Sequence, residues 1–147
     1  MRWLLDTNVI SENVRRNPSP AVMDWIATQP ASETAISIVT LAELRDGALC
    51  TRDEVKRRQL TEWINAEVAD SFYERTLPLT ADVLLDWIGL ARTLRMKGSM
   101  RDPADLLIAA TARVHDLILV SRNVRHFAGI GIVVYDPWND ETHHKGV

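Results

Sequence analysis

The stretch that decides the fold is Trp3-Leu4-Leu5-Asp6-Thr7-Asn8-Val9-Ile10-Ser11. It begins as a short apolar run, which predicts a strand, and the run stops at the carboxylate of Asp6. In open parallel α/β sheets, ligands bind in the crevice beyond the carboxyl ends of the strands. Asp6 is therefore placed for function, although Asp6 or Thr7 could equally serve only to cap the helix that follows.

The rest of the chain repeats this change from strand to helix. Short apolar runs predict strands at residues 2–6, 34–38, 75–79, 117–121 and 131–135. Helical spacing and start signals predict helices at residues 8–14, 18–27, 39–49, 52–70, 81–96 and 103–115, with a turn or short helix at 123–127. Strands that alternate with helices favour an α/β fold in which helices cover both faces of a mostly parallel sheet.

Composition limits the class of protein. The 147 residues are 46% hydrophobic and 25% charged, which predicts one globular domain over residues 1–138 and a loose tail over 139–147. The net charge of −3 gives no overall basic field, so any contact with a nucleic acid must be local. Cys50 is the only cysteine, which excludes a disulfide framework and a thiolate zinc site. No apolar run is long enough for a signal peptide or a membrane span, so we expect a cytoplasmic protein without a membrane partner.

A second carboxylate, Glu43, lies in the first turns of the helix predicted after the strand at 34–38. Alone, such an acid is usually solvated, or it pairs with a nearby cation such as Arg45. The surrounding segment leaves little room for a solvated face, because most of it is apolar: Ile36, Ile38, Val39, Leu41, Ala42 and Leu44. A carboxylate in such surroundings needs a cation or a hydrogen-bond donor.

A third carboxylate, Asp105, follows a clear helix start. Asp102 fits the N-cap and Pro103 the first helical position, so the helix dipole by itself could explain both acids. The helix beyond Asp105 is small and apolar for two turns, which predicts close packing on the sheet. That packing would bring Asp105 to the same crevice as Asp6.

A fourth polar corner follows the strand predicted at 117–121, in the turn Ser121-Arg122-Asn123. Serine and asparagine are common turn formers, so structure alone could explain them. Together with the three acids, they would form a cluster of hard oxygen donors. Mg²⁺ and Mn²⁺ favour one or two carboxylates completed by waters and a substrate phosphate, which is what such a cluster offers.

Local positive charge lies near the predicted crevice. Six basic side chains lead into the Asp105 helix or flank Asn123, and they are candidates for RNA contact: Arg92, Arg95, Lys97, Arg101, Arg122 and Arg125. Solvation and ordinary ion pairs explain them equally well.

Five motifs occur in one order: Leu4-Leu5-Asp6-Thr7-Asn8-Val9-Ile10-Ser11, Ala42-Glu43, Ala104-Asp105-Leu106-Leu107-Ile108-Ala109-Ala110-Thr111-Ala112, Ser121-Arg122-Asn123 and Asp136-Pro137-Trp138. On these motifs the chain resembles PIN-domain proteins of the VapC and FitB toxin group, from Met1 to Trp138. The resemblance implies a three-layer α/β/α sandwich around a mostly parallel central sheet.

The resemblance also implies a site. The metal-binding acids of the family map onto Asp6, Glu43 and Asp105, with Mg²⁺ or Mn²⁺ as the cofactor. Many relatives have an aspartate at a fourth position, where this chain has Asn123. A neutral amide holds a second divalent ion less strongly, so we expect one firmly bound ion. Supporting hydrogen bonds would come from Thr7, Asn8 and Ser121.

The implied activity is that of a metal-dependent endoribonuclease, the toxin of a type II toxin-antitoxin pair. The implied partners are an RNA substrate, a second copy of the chain, and a small VapB- or FitA-like antitoxin that carries the DNA-binding motif and covers the active site. Trp63 and Trp87 are candidates for the homodimer surface, with simple core packing as the alternative.

Two other functions remain open. Because Asn123 interrupts the acid quartet, the chain could be a catalytically weak or inactive PIN-fold module that binds RNA or the antitoxin. A DNA nuclease is a variant of the main interpretation. A phosphate-handling enzyme of another α/β class would need a glycine-rich phosphate loop or a nucleophile elbow, and the six glycines form neither.

Overall fold

The computed structural model describes residues 1–144 and contains a six-stranded sheet. Its strands are β1 (Trp3–Leu5), β2 (Thr34–Ser37), β3 (Thr76–Leu77), β4 (Ile118–Val120), β5 (Val134–Asp136) and β6 (Glu141–His143). Their order across the sheet is β3-β2-β1-β4-β5-β6, and every neighbouring pair is parallel except β5 and β6. The predicted α/β fold with a mostly parallel sheet is confirmed, and β1 lies near its centre.

Seven α-helices connect the described strands: α1 (Thr7–Ser11), α2 (Pro20–Thr28), α3 (Ile38–Leu49), α4 (Glu54–Trp63), α5 (Ala69–Ser71), α6 (Ala81–Met96) and α7 (Pro103–Val114). Short 3-10 helices lie at Glu12–Val14, Ala31–Glu33, Tyr73–Arg75 and Val124–Phe127. The helix predicted over 52–70 forms as one helical arm, in which a π-helical segment, Ile64–Val68, joins α4 to α5. Within residues 1–144, no helix is long and apolar enough to cross a membrane.

Two apolar cores form on the two faces of the sheet because side chains alternate along each strand. Leu4 of β1 belongs to the core beneath α6 and α7, whereas Trp3 and Leu5 belong to the core beneath α1, α3 and the π-helical segment. In β2, Ala35 and Ile36 divide between the two cores in the same way. The central strands are therefore buried on both faces, as expected for a three-layer sandwich.

Capping explains where the helices near the sheet's carboxyl edge begin. The side chain of Asp102 accepts hydrogen bonds from the backbone N–H groups of Ala104 and Asp105, at 2.9 and 3.2 Å, so the predicted N-cap of α7 is confirmed. Ser37 caps α3 by accepting from the backbone N–H of Val39 at 3.1 Å. Each of these two helices thus starts at a fixed residue and delivers its acid to a fixed place.

The end of the chain differs from the expectation of a loose tail over 139–147. Glu141–His143 forms β6, which pairs antiparallel with β5 and brings Glu141 opposite Asp136. The turn between the two strands contains Asp140 at φ +55°, a left-handed conformation that aspartate tolerates better than most residues. The polar sequence of this segment predicted a loose tail. The segment forms a strand instead because the free edge of β5 supplies hydrogen-bonding partners for its backbone. Residues 145–147 lie outside the described part of the chain.

The loop before β5 yields a stability prediction. Gly131 has φ +78°, and a Cβ there would lie 2.6 Å from Nη1 of Arg113, which donates to the carbonyl of Ile130 at 2.8 Å. Gly131→Ala should lower the free energy of unfolding by about 1–2 kcal/mol or more, because it combines left-handed strain with displacement of this arginine. Urea denaturation measures the change.

The matched control is Gly47→Ala. Gly47 lies in α3, and a Cβ there would meet nothing within 4 Å. This substitution should raise the free energy of unfolding by roughly 0.5–1 kcal/mol, because alanine loses less backbone entropy in a helix than glycine. Equal effects of the two substitutions would contradict the special role of Gly131.

Candidate active site

Asp6 is the buried centre of the cluster of polar residues at the carboxyl end of β1. It is 4% exposed and caps α1, where its Oδ1 accepts a hydrogen bond from the backbone N–H of Thr7 at 2.8 Å. Its Oδ2 accepts from Ser121 Oγ at 2.6 Å and from Asn8 Nδ2 at 3.3 Å. The predicted cap is confirmed through Oδ1, and it leaves Oδ2 facing the turn after β4, so the functional interpretation stays a prediction that is compatible with the cap.

Ser121 joins the two central strand ends. It is fully buried, donates through Oγ to Asp6, and accepts at that oxygen from Asn8 Nδ2 at 3.3 Å and from the backbone N–H of Asn123 at 3.0 Å. Asn8 in turn accepts from the backbone N–H of Arg122 at 3.2 Å. The turn at 121–123 is thus tied to the start of α1, and a buried polar network of this kind fixes the positions of its members.

Glu43 reaches the same place from α3. Its Oε1 accepts a hydrogen bond from Thr7 Oγ1 at 2.7 Å, so Thr7 contacts two carboxylates, Asp6 through its N–H and Glu43 through its hydroxyl. The alternative partner considered from sequence, Arg45, lies instead in a small apolar depression between α3 and the helical arm. Glu43 therefore faces the carboxyl edge of the sheet.

Asp105, in the first turn of α7, completes the set of acids. Its Oδ2 lies 2.9 Å from Nδ1 of His126, which belongs to the 3-10 helix Val124–Phe127. An imidazole that holds a carboxylate in one orientation is a common companion of metal-binding or catalytic acids. His126 was not predicted as a site residue, because no spacing signal in the sequence connects it to Asp105. The two residues meet only through the packing of α7 on this loop.

These residues line one cleft of about 400 Å³ at the carboxyl ends of β1 and β4. Its walls hold all four residues of the predicted quartet, which are Asp6, Glu43, Asp105 and Asn123. The predicted supporting residues Thr7 and Asn8 line the same cleft. Ser121 lies directly beneath, bonded to Asp6. The structure therefore brings together the four residues of the predicted quartet and the three predicted supporting residues, while their roles stay predictions.

Four further residues line the cleft and were not assigned to the site from the sequence: Ser11, Glu12, Arg15 and Trp138. Glu12 is 3% exposed, accepts from the backbone N–H of Ser19 at 2.8 Å, and lies 3.6 Å from Nη1 of Arg15. No local pattern predicts a buried acid there. Trp138 stood in a motif that supported the resemblance, which gave it no role.

Burial and mutual repulsion both act on the acids of the cleft. Burial is the main cause that raises the pKa of Asp6, against the opposing hydrogen bonds from Ser121 and Thr7, and the charge of Asp105 raises it further. Burial also raises the pKa of Glu43, to which Asp6 and Asp105 add repulsion. Burial raises the pKa of Asp105, against the bond to His126. A bound cation would relieve this repulsion.

The donor set fits Mg²⁺ or Mn²⁺. Within residues 1–144, no three acidic, histidine or cysteine side chains converge closely enough to hold an ion by themselves. Mg²⁺ does not require such a cage, because it usually keeps several waters and binds one or two carboxylates plus a substrate phosphate. The carboxylates of Asp6, Glu43 and Asp105 line one cleft and could serve as such ligands, and Asn123 adds a neutral oxygen to its lining.

The six basic side chains predicted for RNA contact separate in the structure. Arg122 lines the acidic cleft, and Arg125 lines the next groove, along the 3-10 helix Val124–Phe127. Arg101 donates to the backbone carbonyls of Arg125, His126 and Ala128 at 2.9 to 3.1 Å, which is a structural role. In the described part of the chain, the remaining three do not line the cleft: Arg92, Arg95 and Lys97.

The carboxylate cleft lies at the carboxyl ends of β1 and β4, the part of an open α/β sheet where ligands bind. The model of the PIN domain matches residues 3–132. The chain belongs to the PIN-domain family, as the resemblance predicted.

Individual relatives span almost the whole chain. It is 32% identical over 137 residues to toxin FitB of Neisseria gonorrhoeae, covering 93% of this chain and 99% of FitB. It is also 32% identical to the VapC ribonuclease Y4jK of Sinorhizobium fredii, covering 92% and 96% of the two chains.

Solved structures agree with this assignment. The crystal structure of FitAcB from Neisseria gonorrhoeae matches with a TM-score of 0.86 at 32% identity, over 92% of this chain and 98% of that chain. VapBC-5 from Mycobacterium tuberculosis, a member of the VapBC family of toxin-antitoxin systems, matches with a TM-score of 0.62 at 30% identity, over 83% and 85%.

The raised pKa of Glu43 predicts how stability depends on pH without divalent ions. The folded protein binds a proton at Glu43 more tightly than the unfolded chain, so this contribution to stability falls as the pH rises through the raised pKa. At neutral pH in EDTA, Glu43→Gln should therefore raise the melting temperature, by about 1–3 °C given the partial exposure of the side chain. Thermal unfolding followed by circular dichroism measures this shift.

The gain from Glu43→Gln should disappear below the ordinary pKa range of glutamate, where the parent is also neutral in both states. Glu62→Gln, on the exposed side of α4, is the matched control and should leave the melting temperature unchanged. A melting temperature that falls at neutral pH for Glu43→Gln would contradict the unfavourable electrostatics of the cleft.

Proposed function

We propose that this chain is the toxin of a type II toxin-antitoxin pair and hydrolyses RNA phosphodiesters with the help of Mg²⁺ or Mn²⁺. The observation that carries the proposal is the convergence of Asp6, Glu43 and Asp105 in one cleft, from the end of β1, from α3 and from α7, where burial raises the pKa of each acid. The names of two relatives, toxin FitB and VapC ribonuclease Y4jK, support the proposed activity.

Each acid has a distinct part in the proposed site. Asp6 is held rigidly by three donors and, with Asp105, would hold the ion. Glu43 keeps one oxygen bonded to Thr7, and its other oxygen is free to orient the attacking water. Asn123 would complete the site with its amide oxygen. A bound Mg²⁺ or Mn²⁺ would supply Lewis acidity, neutralising charge on the phosphate and making water more acidic.

Two arginines at the cleft are suited to hold the RNA backbone. Arg122 lies on the turn after β4, and Arg15 also lines the cleft, where Glu12 is 3.6 Å away. The chain carries a net charge of −3, so substrate must be gripped by such local cations rather than by a general field. The choice of RNA over DNA as the substrate rests on the family resemblance, because a protein distinguishes RNA from DNA by contacts to the 2′-hydroxyl group.

An antitoxin partner is part of the proposal. A groove of about 610 Å³ adjoins the cleft and shares Thr7, Arg15 and Glu43 with it. Its floor is apolar and comes from α3 and the helical arm: Leu44, Ala48, Leu60, Trp63 and Ile64. A groove of this kind fits an amphipathic segment that crosses the active site. The membership of VapBC-5 in a toxin-antitoxin family supports such a partner.

A homodimer is the second proposed assembly. α6 exposes Leu84, Leu85 and Ile88, an apolar face that a second copy of the chain would cover. Trp87 packs against the core beneath α6, which favours the core-packing alternative considered for it. Trp63 packs partly against the other core and lines the groove assigned to the antitoxin.

One observation favours a second candidate function, a PIN-fold module that binds RNA or the antitoxin without cleaving. The cleft presents the neutral side chain of Asn123 where many relatives have a carboxylate, so the pull on a second ion is weaker. The cleavage experiment below separates this candidate from the ribonuclease.

Cleavage of RNA tests the proposed activity directly. The purified chain, freed of co-purified antitoxin, is incubated with total cellular RNA in Mg²⁺, Mn²⁺ or EDTA. We expect discrete fragments only with metal, and Asp6→Asn should reduce the cleavage rate by roughly 10²–10³-fold, because it removes the charge at the centre of the site. Attack by water, with departure of the 3′ oxygen, should leave 5′-phosphate and 3′-hydroxyl ends.

The matched control is Asp24→Asn, an exposed aspartate on α2, which should cleave at the parent rate. Intact RNA in every sample, with the protein shown to be folded, would favour the non-catalytic binding module. Cleavage of DNA at the same rate under identical salt and metal would remove the assignment to RNA.

Binding of the ion can be measured without activity. Addition of Mg²⁺ or Mn²⁺ should raise the melting temperature of the parent in a concentration-dependent manner, because an ion that binds only the folded state stabilises it. The rise should be lost or strongly reduced in Asp6→Asn and Asp105→Asn and retained in Asp24→Asn. An equal rise in all four proteins would place the ion elsewhere.

A further inference from the structure

Trp138 forms an aromatic wall of the acidic cleft. It follows β5 in the Asp136-Pro137-Trp138 motif, is half-buried, and lines the same cleft as Asp6 and Asp105. Part of the ring packs against the core beneath α1 and α3, so the side chain has a rigid support. A supported, partly exposed aromatic ring next to a phosphodiester-cleaving site is suited to stack a nucleobase.

The backbone around Trp138 is held by a buried carboxylate. Asp136 is 4% exposed, and its Oδ1 accepts from the backbone N–H of Trp138 at 2.9 Å while its Oδ2 accepts from Asn139 Nδ2 at 2.8 Å. Both oxygens of Asp136 are thus committed to the turn, so this acid positions Trp138. The backbone that carries the ring is therefore held in place at the cleft before any ligand arrives.

A cation lies over the exposed ring. The guanidinium carbon of Arg122 is 5.6 Å from the Trp138 ring centroid, within the range of a cation–π interaction. Arg122 is itself exposed, and its backbone N–H is fixed by Asn8. A cation–π contact at an exposed site is weaker than stacking of a base on an aromatic ring, so an arriving base can replace the guanidinium.

We propose that Trp138 and Arg122 form a nucleotide-binding subsite, in which Trp138 stacks an unpaired base of single-stranded RNA and Arg122 pairs with the adjacent phosphate. The stacking ring and the phosphate-binding guanidinium lie next to each other, and both residues line the cleft that holds the acids. Stacking is tolerant of sequence, because every base has a π-face. The subsite would therefore select unpaired RNA near the scissile bond and not a particular base.

This proposal rests on the proposed function, and its test separates the two. Binding is measured in the Asp6→Asn background, so that RNA stays intact, by fluorescence anisotropy with a labelled single-stranded RNA of about 12 nucleotides and mixed sequence. A second probe has the same ribose-phosphate chain with every base removed. Trp138→Leu removes the aromatic ring and keeps an apolar side chain, whereas Trp138→Phe keeps a ring.

We expect Trp138→Leu to weaken binding of the RNA probe about tenfold and Trp138→Phe to weaken it far less, in line with the usual loss for a stacked base. Neither Trp138 substitution should change the affinity for the abasic probe. A third variant, Arg122→Ala, should weaken the binding of that probe. Tyr73→Leu, which removes an aromatic ring that is 82% exposed and precedes the amino end of β3, is the matched control and should bind both probes like its parent.

Three outcomes would overturn the subsite: equal RNA affinity in the leucine variant and its parent, equal weakening by leucine and phenylalanine, or equal losses for both probes. Equal RNA affinity would assign Trp138 to packing or to a protein partner. Cleavage of total RNA by the wild-type chain decides the proposed function separately. Both proposals would be removed if the wild-type chain did not cleave RNA and the Asp6→Asn protein did not bind it.

Discussion

The burial of one carboxylate governs the architecture of this cleft. Asp6 is 4% exposed at the end of the central strand, and a buried charge is costly unless donors surround it. The donors come from Thr7 and Asn8 at the start of α1 and from Ser121 at the end of β4. The bonds that satisfy Asp6 therefore also fix where α1 begins and how the chain turns after β4.

The cleft holds three acids whose charged forms are disfavoured by burial. Burial raises the pKa of each of the three acids, and they repel one another, yet the fold holds them together from three separate elements. Groups that cost stability in this way are typical of functional sites, where binding of a ligand or ion recovers the energy. Packing of the two cores on either side of the sheet supplies the rigidity that this requires.

The tertiary structure, and not proximity to the acids along the chain, decides which arginines line the cleft. Arg101 precedes the Asp105 helix directly, yet its guanidinium is committed to three backbone carbonyls of the 125–128 loop. It thereby supports the loop that carries His126, the partner of Asp105. Arg15 is far from Glu43 and Asp105 along the chain, but it lines the same cleft from its position directly after the 3-10 helix that follows α1. The lining of the cleft thus combines its acids with the cations Arg15 and Arg122.

Local sequence determined the element types, the parallel sheet, the N-cap Asp102 and the three acids, because apolar periodicity and capping signals act over a few residues. The family resemblance connected these acids and Asn123 into one site. Three features followed only from tertiary structure: the pairing of segment 141–143 with β5, the meeting of Asp105 with His126, and the presence of Glu12, Arg15 and Trp138 in the cleft. Each depends on contacts between segments distant along the chain, which local propensity does not encode. The sequence by itself therefore determined which residues are candidates for the chemistry, whereas the packing of helices on the sheet decided which side chains hold and surround them.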